Sequence, residues 1–372
     1  MVRGHILRSF RQAVQTIHLW AGVILALPLI LIGLSGSALL VQREILRLSV
    51  PTASAAGEVQ PVSRILAAAS TAMPGDARMN ALELPQSRGA AAAVQFALRG
   101  RPARIVNVYV DPVSLKVLGT ESIVRRGPMA QNLVNIHEYL MMPGRFGLPF
   151  VGWIAVAMTF MGLSGLILWW PRGLWRNGFL VRRGARGLSL HLDLHSAVGI
   201  WGLMIFLCLS ISGIYLVFPL TVSTAVRSIV PSAMNRVDPA LPRISLLPAI
   251  DADRALALAA FAVPDARATG LQLPGAIVKS FVVQMAPTGF TPAVPPIVVS
   301  VDPQTANLTI DDPRNYSPGD KILNFLYAMH FSLGLGWVWT VVVFLAGLLP
   351  LFFAVTGVTI WTLKRRAKFA PE

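Results

Sequence analysis

The segment HLWAGVILALPLILIGLSG, residues 18–36, has a counterpart in HSAVGIWGLMIFLCLSISG, residues 195–213. Both begin with histidine, end with Ser-Gly and have the same length, and most of their other residues are apolar. A helix needs about 20 apolar residues to cross the hydrocarbon core of a bilayer. The chain has four runs near that length and is therefore predicted to cross the membrane four times, at 19–41, 148–170, 198–218 and 337–363.

The composition agrees with a membrane protein, because 54% of the residues are hydrophobic and only 13% are charged. The net charge is +15, and most of it lies in residues 1–18, 172–186 and 364–372. By the positive-inside rule these segments are cytoplasmic, which places both termini inside and the two long loops outside. The positive charge is therefore explained by the orientation of the chain in the membrane. We expect the lipid bilayer, and no nucleic acid, as the partner.

The N-terminal run resembles a signal peptide, but it is longer than the usual apolar core, so we expect it to stay uncleaved. All nine tryptophans lie in or beside the apolar runs, as in an aromatic belt. The single cysteine, Cys208, excludes an intramolecular disulfide and is interpreted as a small apolar residue.

Further motifs extend the repeat along the chain. LSGLILWWPR and VTGVTIWTLK each place a glycine, Gly165 or Gly357, four residues before a tryptophan, and VYVDP and VSVDP end in Asp-Pro at 111–112 and 302–303. The chain is therefore predicted to be an internal duplication, with parallel repeats because both halves start inside. In each outer segment a helix, at 62–73 or 251–262, precedes strands in AVQFAL, RIVNVYV, SFVVQM and PIVVSV.

The predicted fold class is a membrane all-α four-helix transmembrane bundle with two outer α+β domains. Its expected order along the chain is the N-terminus and first span at 1–42, the first outer domain at 43–147, the second span at 148–171, a basic cytoplasmic loop at 172–194, the third span at 195–218, the second outer domain at 219–336, and the fourth span and cytoplasmic tail at 337–372.

Four of the six histidines are repeat equivalents. His18 and His195, here called the inner pair, stand at the inner ends of spans one and three, and His137 and His330, the outer pair, come just before spans two and four. An ionisable group at such a position is costly unless it faces the bundle interior and finds a partner. Two imidazoles that face each other can supply both axial ligands of a haem iron. Two pairs therefore predict two haem groups, one near each surface.

Other interpretations of these residues stay open. A histidine at a helix end is often an interfacial residue, and zinc or copper also binds imidazole. His191 shares a helical face with His195, but its counterpart is Val14, so we assign it a supporting or interfacial role, and we expect His5 in a solvated terminus. The candidates for contact with haem propionates, which lipid phosphate could equally occupy, are Arg8, Arg11 and Arg145.

Five motifs together resemble the PepSY-associated transmembrane family of bacterial inner-membrane proteins, which includes ferric-siderophore reductases of the ferrioxamine B type. They are TIHLWAGVILALPLILIGLSG at 16–36, NIHEYL at 135–140, GLSGLILWWPRG at 162–173, DLHSAVG at 193–199 and MHFSLGLG at 329–336. The resemblance implies a reductase with two haem b groups and two periplasmic PepSY-like domains. It implies that His18 and His195 ligate the inner haem iron and that His137 and His330 ligate the outer one.

We therefore expect an oxidoreductase that reduces a ferric siderophore in the periplasm and releases iron(II), which hard oxygen donors hold less tightly than iron(III). Such a reaction needs no catalytic side-chain acid, base or nucleophile. The chain has no nucleotide-binding fingerprint, so a cytoplasmic reductase or a quinol must supply the electrons. The alternatives are a permease for a siderophore or peptide, and a membrane-anchored binding or regulatory protein without redox activity.

Overall fold

The computed structural model describes residues 2–48, 50–98, 104–123, 128–170, 176–230, 250–275, 278–287 and 295–369. The chain divides into two compact units. The helical unit contains Met1–Arg43, Asn132–Val230 and Ile322–Glu372. The sheet unit contains Glu44–Gln131 and Pro231–Lys321.

Four long apolar helices form the helical unit: α1 (Val2–Leu48), α4 (Gly144–Trp169), α6 (Gly187–Val217) and α10 (Gly336–Phe369). All four are long and apolar enough to cross a membrane, which confirms the four predicted spans. The protein is thus a multi-pass membrane protein. The predicted boundary at 195 differs, because α6 already begins at Gly187 and includes His191.

The long helices pack in the order α1, α4, α6, α10 around a bundle. Gly22 of α1 faces Met161 of α4, and Gly162 of α4 faces Leu207 of α6. Helices α6 and α10 meet where Gly202 faces Leu349. The Ser37 hydroxyl of α1 donates to the Phe344 carbonyl of α10 at 2.8 Å and closes the ring of helices. In this order α1 and α6 lie diagonally opposite each other.

The closest backbone approach in the bundle lies between α1 and α10. A Cβ atom built on Gly347 would lie 2.6 Å from the Gly33 carbonyl oxygen and would also overlap the Ser37 hydroxyl. Helices approach this closely only where small residues face each other. The glycines at this crossing are therefore required by packing.

Shorter helices complete the helical unit. Helix α3 (Pro128–Tyr139) precedes α4, and α9 (Pro318–His330) precedes α10. A four-residue helix, α5 (Arg176–Phe179), precedes α6, and α7 (Pro219–Ile229), which the sequence did not predict, follows it. Helices α3 and α9 carry the two histidines of the outer pair.

The sheet unit has two helices and eight strands. The helices are α2 (Val62–Ser70) and α8 (Ala252–Ala262), which confirm the predicted helices in both segments. The strands are β1 (Arg78–Glu83), β2 (Ala92–Leu98), β3 (Arg104–Val110), β4 (Val117–Ile123), β5 (Ala266–Gln272), β6 (Phe281–Pro287), β7 (Ile297–Val301) and β8 (Leu308–Asp311). A short 3-10 helix, Pro313–Asn315, follows β8.

The two α+β segments do not form separate domains, in contrast to the expectation from the sequence. All eight strands belong to one antiparallel sheet with the order β4-β3-β2-β1-β5-β6-β7-β8. The halves join where β1 pairs with β5, and Leu82 lies opposite Leu271 at the centre of this junction. An unpaired strand edge is prone to association, so each half satisfies the edge of the other.

Helices α2 and α8 cover one face of this sheet. Ile65 of α2 and Ala255 of α8 are fully buried against strand residues such as Val94 and Val283. Asp253, in the first turn of α8, accepts hydrogen bonds from the Val62 and Ser63 amides at the start of α2, at 2.6 and 3.1 Å. The two segments therefore share a single core.

The Asp-Pro turns recur with the same hydrogen bonds in the two segments. Asp111 accepts from the Val113 amide at 2.9 Å, and Asp302 accepts from the Gln304 amide at 2.8 Å. Each turn closes at a non-glycine residue with positive φ, 61° at Leu115 and 56° at Ala306.

Candidate functional site

The His137 imidazole lies against α1 in the helical unit. Its Nδ1 is 2.8 Å from the Ile32 carbonyl oxygen and 3.5 Å from the Ser35 hydroxyl. A Cβ atom on Gly36 would lie 2.8 Å from His137 Cε1, so only glycine leaves room for the ring here. A carbonyl oxygen can only accept, and Nδ1 therefore carries the proton of this imidazole.

The His330 imidazole has the corresponding environment on α6. Its Nδ1 is 2.9 Å from the Ser212 hydroxyl, and the ring also hydrogen-bonds the main chain of Leu209. A Cβ atom on Gly213 would lie 3.7 Å from His330 Cε1. The two histidines of the outer pair thus use the same nitrogen toward diagonally opposite helices.

The rings of the outer pair lie 6.3 Å apart between their centres, at an interplanar angle of 57°. An imidazole binds a metal at about 2.0–2.1 Å. Each ring centre lies about 1.1 Å beyond its nitrogen. The centres of two rings that bind one iron from opposite sides are therefore about 6.2–6.4 Å apart. The observed separation therefore fits an iron bound between the two imidazoles.

Burial disfavours the charged form of both rings of the outer pair. Burial lowers the pKa of His137 and outweighs the opposing hydrogen bond to Ile32. Burial, followed by the charge of His137, lowers the pKa of His330 to about 3. The neutral imidazole is the form that ligates a metal.

The inner pair has a related environment at the other end of the bundle. Nδ1 of His18 lies 2.8 Å from the Ser164 hydroxyl, and Nδ1 of His195 lies 2.8 Å from the Thr356 hydroxyl. The glycine after each hydroxyl residue faces the ring: Cβ atoms on Gly165 and Gly357 would lie 3.5 and 3.7 Å from Cε1 of His18 and His195.

Every span therefore provides one Ser-Gly or Thr-Gly dipeptide to one histidine. The four dipeptides are Ser35-Gly36, Ser164-Gly165, Ser212-Gly213 and Thr356-Gly357. The sequence motifs identified Gly165 and Gly357 only as positions of the repeat and gave the hydroxyls no role. The recurrence of a hydroxyl residue before glycine in all four spans was the pattern that could have identified them.

The remaining nitrogen, Nε2, is available on all four histidines. Among the residues that the structure describes, none of the four Nε2 atoms makes a hydrogen bond. None of these atoms is fully buried either. An Nδ1–H bonded to an acceptor leaves the Nε2 lone pair free to bind metal. The donor set thus fits an iron site between the two rings of the outer pair, and the inner pair presents the same donor atoms.

The end of α9, directly after His330, is held by side chains of the long helices. Arg43 of α1 donates to the Phe331 carbonyl at 2.5 Å, and Trp339 of α10 donates to the Met329 carbonyl at 3.0 Å. These donors satisfy carbonyls that a helix end leaves without partners. Sequence reasoning did not identify Arg43, which has no charged counterpart in the other half.

The candidate propionate contacts have other partners where they are described. Arg11 donates to the Leu168 and Trp170 carbonyls at the end of α4, and Arg145 lies over the Phe146 ring at 4.7 Å. The Arg8 side chain lies outside the described residues. A role of these three residues toward a cofactor stays a prediction.

His191 is separate from the two pairs. Its Nδ1 is buried without a hydrogen-bond partner in the described part of the chain. Within those same residues, no three His, Cys, Asp or Glu side chains converge as a metal site, so His191 and His195 lack a third ligand of these types. The side chain of His5 is outside the described residues.

Comparison with known proteins gives the family. Residues 15–364 match the PepSY-associated TM region. The chain belongs to this family. The match includes all four paired histidines and the four hydroxyl-glycine dipeptides. No curated protein matches the chain.

Proposed function

We propose that this PepSY-associated membrane protein is a transmembrane reductase that binds two haem b groups and delivers electrons to a periplasmic ferric siderophore. The observation that carries the proposal is the 6.3 Å separation of the His137 and His330 rings. It matches the spacing of two imidazoles on one iron, and the free Nε2 atoms supply the donors.

The protein's own residues perform binding and orientation. The histidines of each pair would hold the iron, and the hydroxyls and main-chain carbonyls orient the imidazoles. When bound, the haem supplies one-electron chemistry through its iron(III) and iron(II) states.

The position of the sites along the bundle favours transfer across a membrane. On α1, His18 and the dipeptide beside His137 are eighteen residues apart, which corresponds to about 27 Å of helix. The hydrocarbon core is about 30 Å thick. One site therefore lies near each surface, as an electron path across the bilayer requires.

The orientation and substrate follow from charge and coordination chemistry. The basic segments support an orientation in a bacterial inner membrane with both termini in the cytoplasm, the inner pair near the cytoplasmic surface and the sheet unit in the periplasm. The recurring turns and dipeptides support a parallel internal duplication. A ferric siderophore is the proposed electron acceptor. Its hard oxygen ligands bind iron(II) less tightly than iron(III), so reduction of the iron favours its release. A cytoplasmic reductase or a quinol is the proposed donor.

The test begins with the purified full-length protein from haem-replete cells. A pyridine haemochrome assay should give two haem b groups per chain, and dithionite should produce a reduced b-type spectrum. His18→Ala and His330→Ala should each remove one haem, whereas His5→Ala, the control at a histidine outside both pairs, should keep both. Haem-free wild-type protein would refute the reductase and favour the permease or the regulatory protein.

The substrate requires a separate measurement. The dithionite-reduced protein is mixed with several ferric siderophores while the reduced spectrum is followed anaerobically. We expect reoxidation with at least one chelate and trapping of the released iron(II) by ferrozine. A haem-loaded protein that no ferric siderophore reoxidises would overturn the assigned substrate.

A further inference from the structure

The atom that accepts the Nδ1 proton differs between His137 and the other three paired histidines. For His330 the nearest acceptor is the Ser212 hydroxyl at 2.9 Å. In the inner pair the nearest acceptors are side-chain hydroxyls, Ser164 for His18 and Thr356 for His195, both at 2.8 Å. In the outer pair the nearest acceptor of His137 is the main-chain carbonyl of Ile32 at 2.8 Å, and the Ser35 hydroxyl is farther away at 3.5 Å.

The inner hydroxyls are themselves fixed by the main chain. Ser164 donates to the Met161 carbonyl at 3.0 Å, and Thr356 donates to the Phe352 carbonyl at 2.9 Å. Since each hydroxyl has only one proton, its oxygen is left to accept the Nδ1–H of the histidine. The arrangement sets the tautomer and orients the ring with a single side chain.

We propose that Ser164 and Thr356 are positioning residues that set the ring orientation and the redox potential of the inner haem site, while the main-chain carbonyl of Ile32 does this for His137 at the outer site. The inference rests on the proposed function, because it assigns roles around the haem ligands. It makes the inner potential adjustable by side-chain replacement, whereas the Ile32 acceptor persists through any substitution.

The physical basis is the effect of the Nδ1 hydrogen bond on Nε2. An acceptor at Nδ1 makes the imidazole a stronger electron donor and fixes its orientation. A stronger donor favours iron(III), so loss of the acceptor raises the midpoint potential. Loss of such an outer partner typically weakens metal binding by about 10–100-fold.

The principal experiment compares three substitutions on α10 in the full-length haem-loaded protein. Thr356→Val removes the hydroxyl and keeps the branched shape, and Thr356→Ser keeps the hydroxyl. The control is Thr359→Val, because the Thr359 hydroxyl makes the same kind of bond, to the Val355 carbonyl at 2.7 Å. Potentiometric titration and haem content are measured for each variant.

We expect Thr356→Val to bind the inner haem at least tenfold more weakly and to raise its midpoint potential. A tenfold shift in the preference between the two iron states corresponds to about 59 mV. Thr356→Ser and Thr359→Val should match the wild type. A potential in Thr356→Val that equals that of the wild type would overturn the proposal.

A second comparison tests the difference between His18 and His137. Ser164→Ala should shift the inner potential in the same direction, whereas Ser35→Ala should leave the outer potential unchanged because the Ile32 carbonyl remains. Equal shifts in these variants would contradict the assignment. If Thr356→Val does not fold, the smaller change in Ser164→Ala carries the same test.

The failures of the two proposals are distinguishable. Wild-type protein without haem removes the proposed function and this inference with it. Wild-type protein with two haem groups, together with unchanged potentials in Ser164→Ala and Thr356→Val, removes only the role of the hydroxyls.

Discussion

Gly36 lies directly beneath the imidazole of His137: a Cβ atom at this position would lie 2.8 Å from Cε1 and 3.1 Å from Nδ1 of the ring. The ring hydrogen-bonds α1 through Ile32 on the same side. The position of one proposed ligand therefore depends on the absence of a side chain.

Gly36→Ala should displace His137 and lower the occupancy of the outer haem by about tenfold or more, because the ligand leaves its bonding position. The inner haem should be retained. Gly213→Ala is the matched control, since its Cβ would lie at an ordinary 3.7 Å from His330 Cε1. Haem content per chain is the measurement, and full occupancy in Gly36→Ala would show that the ring can move without loss of its ligand role.

Gly347→Ala should destabilise the bundle by about 1–3 kcal/mol, the usual cost of overpacking. The new methyl group would meet the Gly33 carbonyl and the Ser37 hydroxyl, so α1 and α10 must separate. Gly199→Ala is a suitable control because its nearest neighbour, Phe353, would lie 3.9 Å away. Thermal unfolding in detergent compares the two, and equal stability would contradict the close crossing.

Arg43→Met should loosen the last turn of α9, because it removes the charged donor to the Phe331 carbonyl. A cation at a helix C-terminus contributes about 0.3–1 kcal/mol. Faster hydrogen exchange is expected in residues 326–333, measured by mass spectrometry on the full chain. Arg254→Met, which changes an exposed arginine of the sheet unit, should leave that exchange rate as it is.

Asp111→Asn should destabilise the sheet unit by about 1–3 kcal/mol, the cost of leaving buried donors without an acceptor. Asp111 is 4% exposed and accepts from the amides of Ser54, Val113 and Ser114. The amide group of asparagine would oppose one of these donors. Asp302→Asn should cost less because Asp302 accepts only from Gln304 and Thr305 in the described residues. Local hydrogen exchange compares the two, and a larger effect at Asp302 would contradict the assignment.

The same carboxyl gives the sheet unit an acid dependence. Burial pushes the pKa of Asp111 upward, but the hydrogen bonds from Ser54, Val113 and Ser114 together hold it below its usual 3.8. A carboxyl group whose pKa is lower in the folded state than in the unfolded state stabilises the fold at pH values above its unfolded-state pKa. This stabilisation is lost as the pH falls below that value toward the folded-state pKa. Protection of the sheet unit should therefore decline below about pH 4, and less steeply in Asp111→Asn.

The sequence predicted the spans and four of the eight strands because hydrophobic pattern is a local property. The four apolar helices and the helices at α2 and α8 were confirmed. The junction of β1 with β5 was not predicted, since strand pairing between distant segments depends on edges that composition does not reveal. Helix α7 was not predicted because its eleven residues contain no long apolar run.

The histidine pairs were predicted from repeat spacing, and the structure brings the rings of His137 and His330 together. Their hydrogen-bond partners were not predicted. In a helix, the hydroxyl of a serine or threonine usually bonds only the main-chain carbonyl three or four residues earlier in the same helix. That Ser164 and Thr356 also meet a histidine depends on the packing of neighbouring helices.

The continuous sheet has a consequence for the first half of the chain by itself. A polypeptide with only the first half would expose the edge of β1, which in the full chain is paired with β5. It would also contain His18 and His137 without their counterparts. Two copies that associated through that edge would satisfy both needs, so a first-half polypeptide is expected to form a homodimer that shares each histidine pair between its subunits.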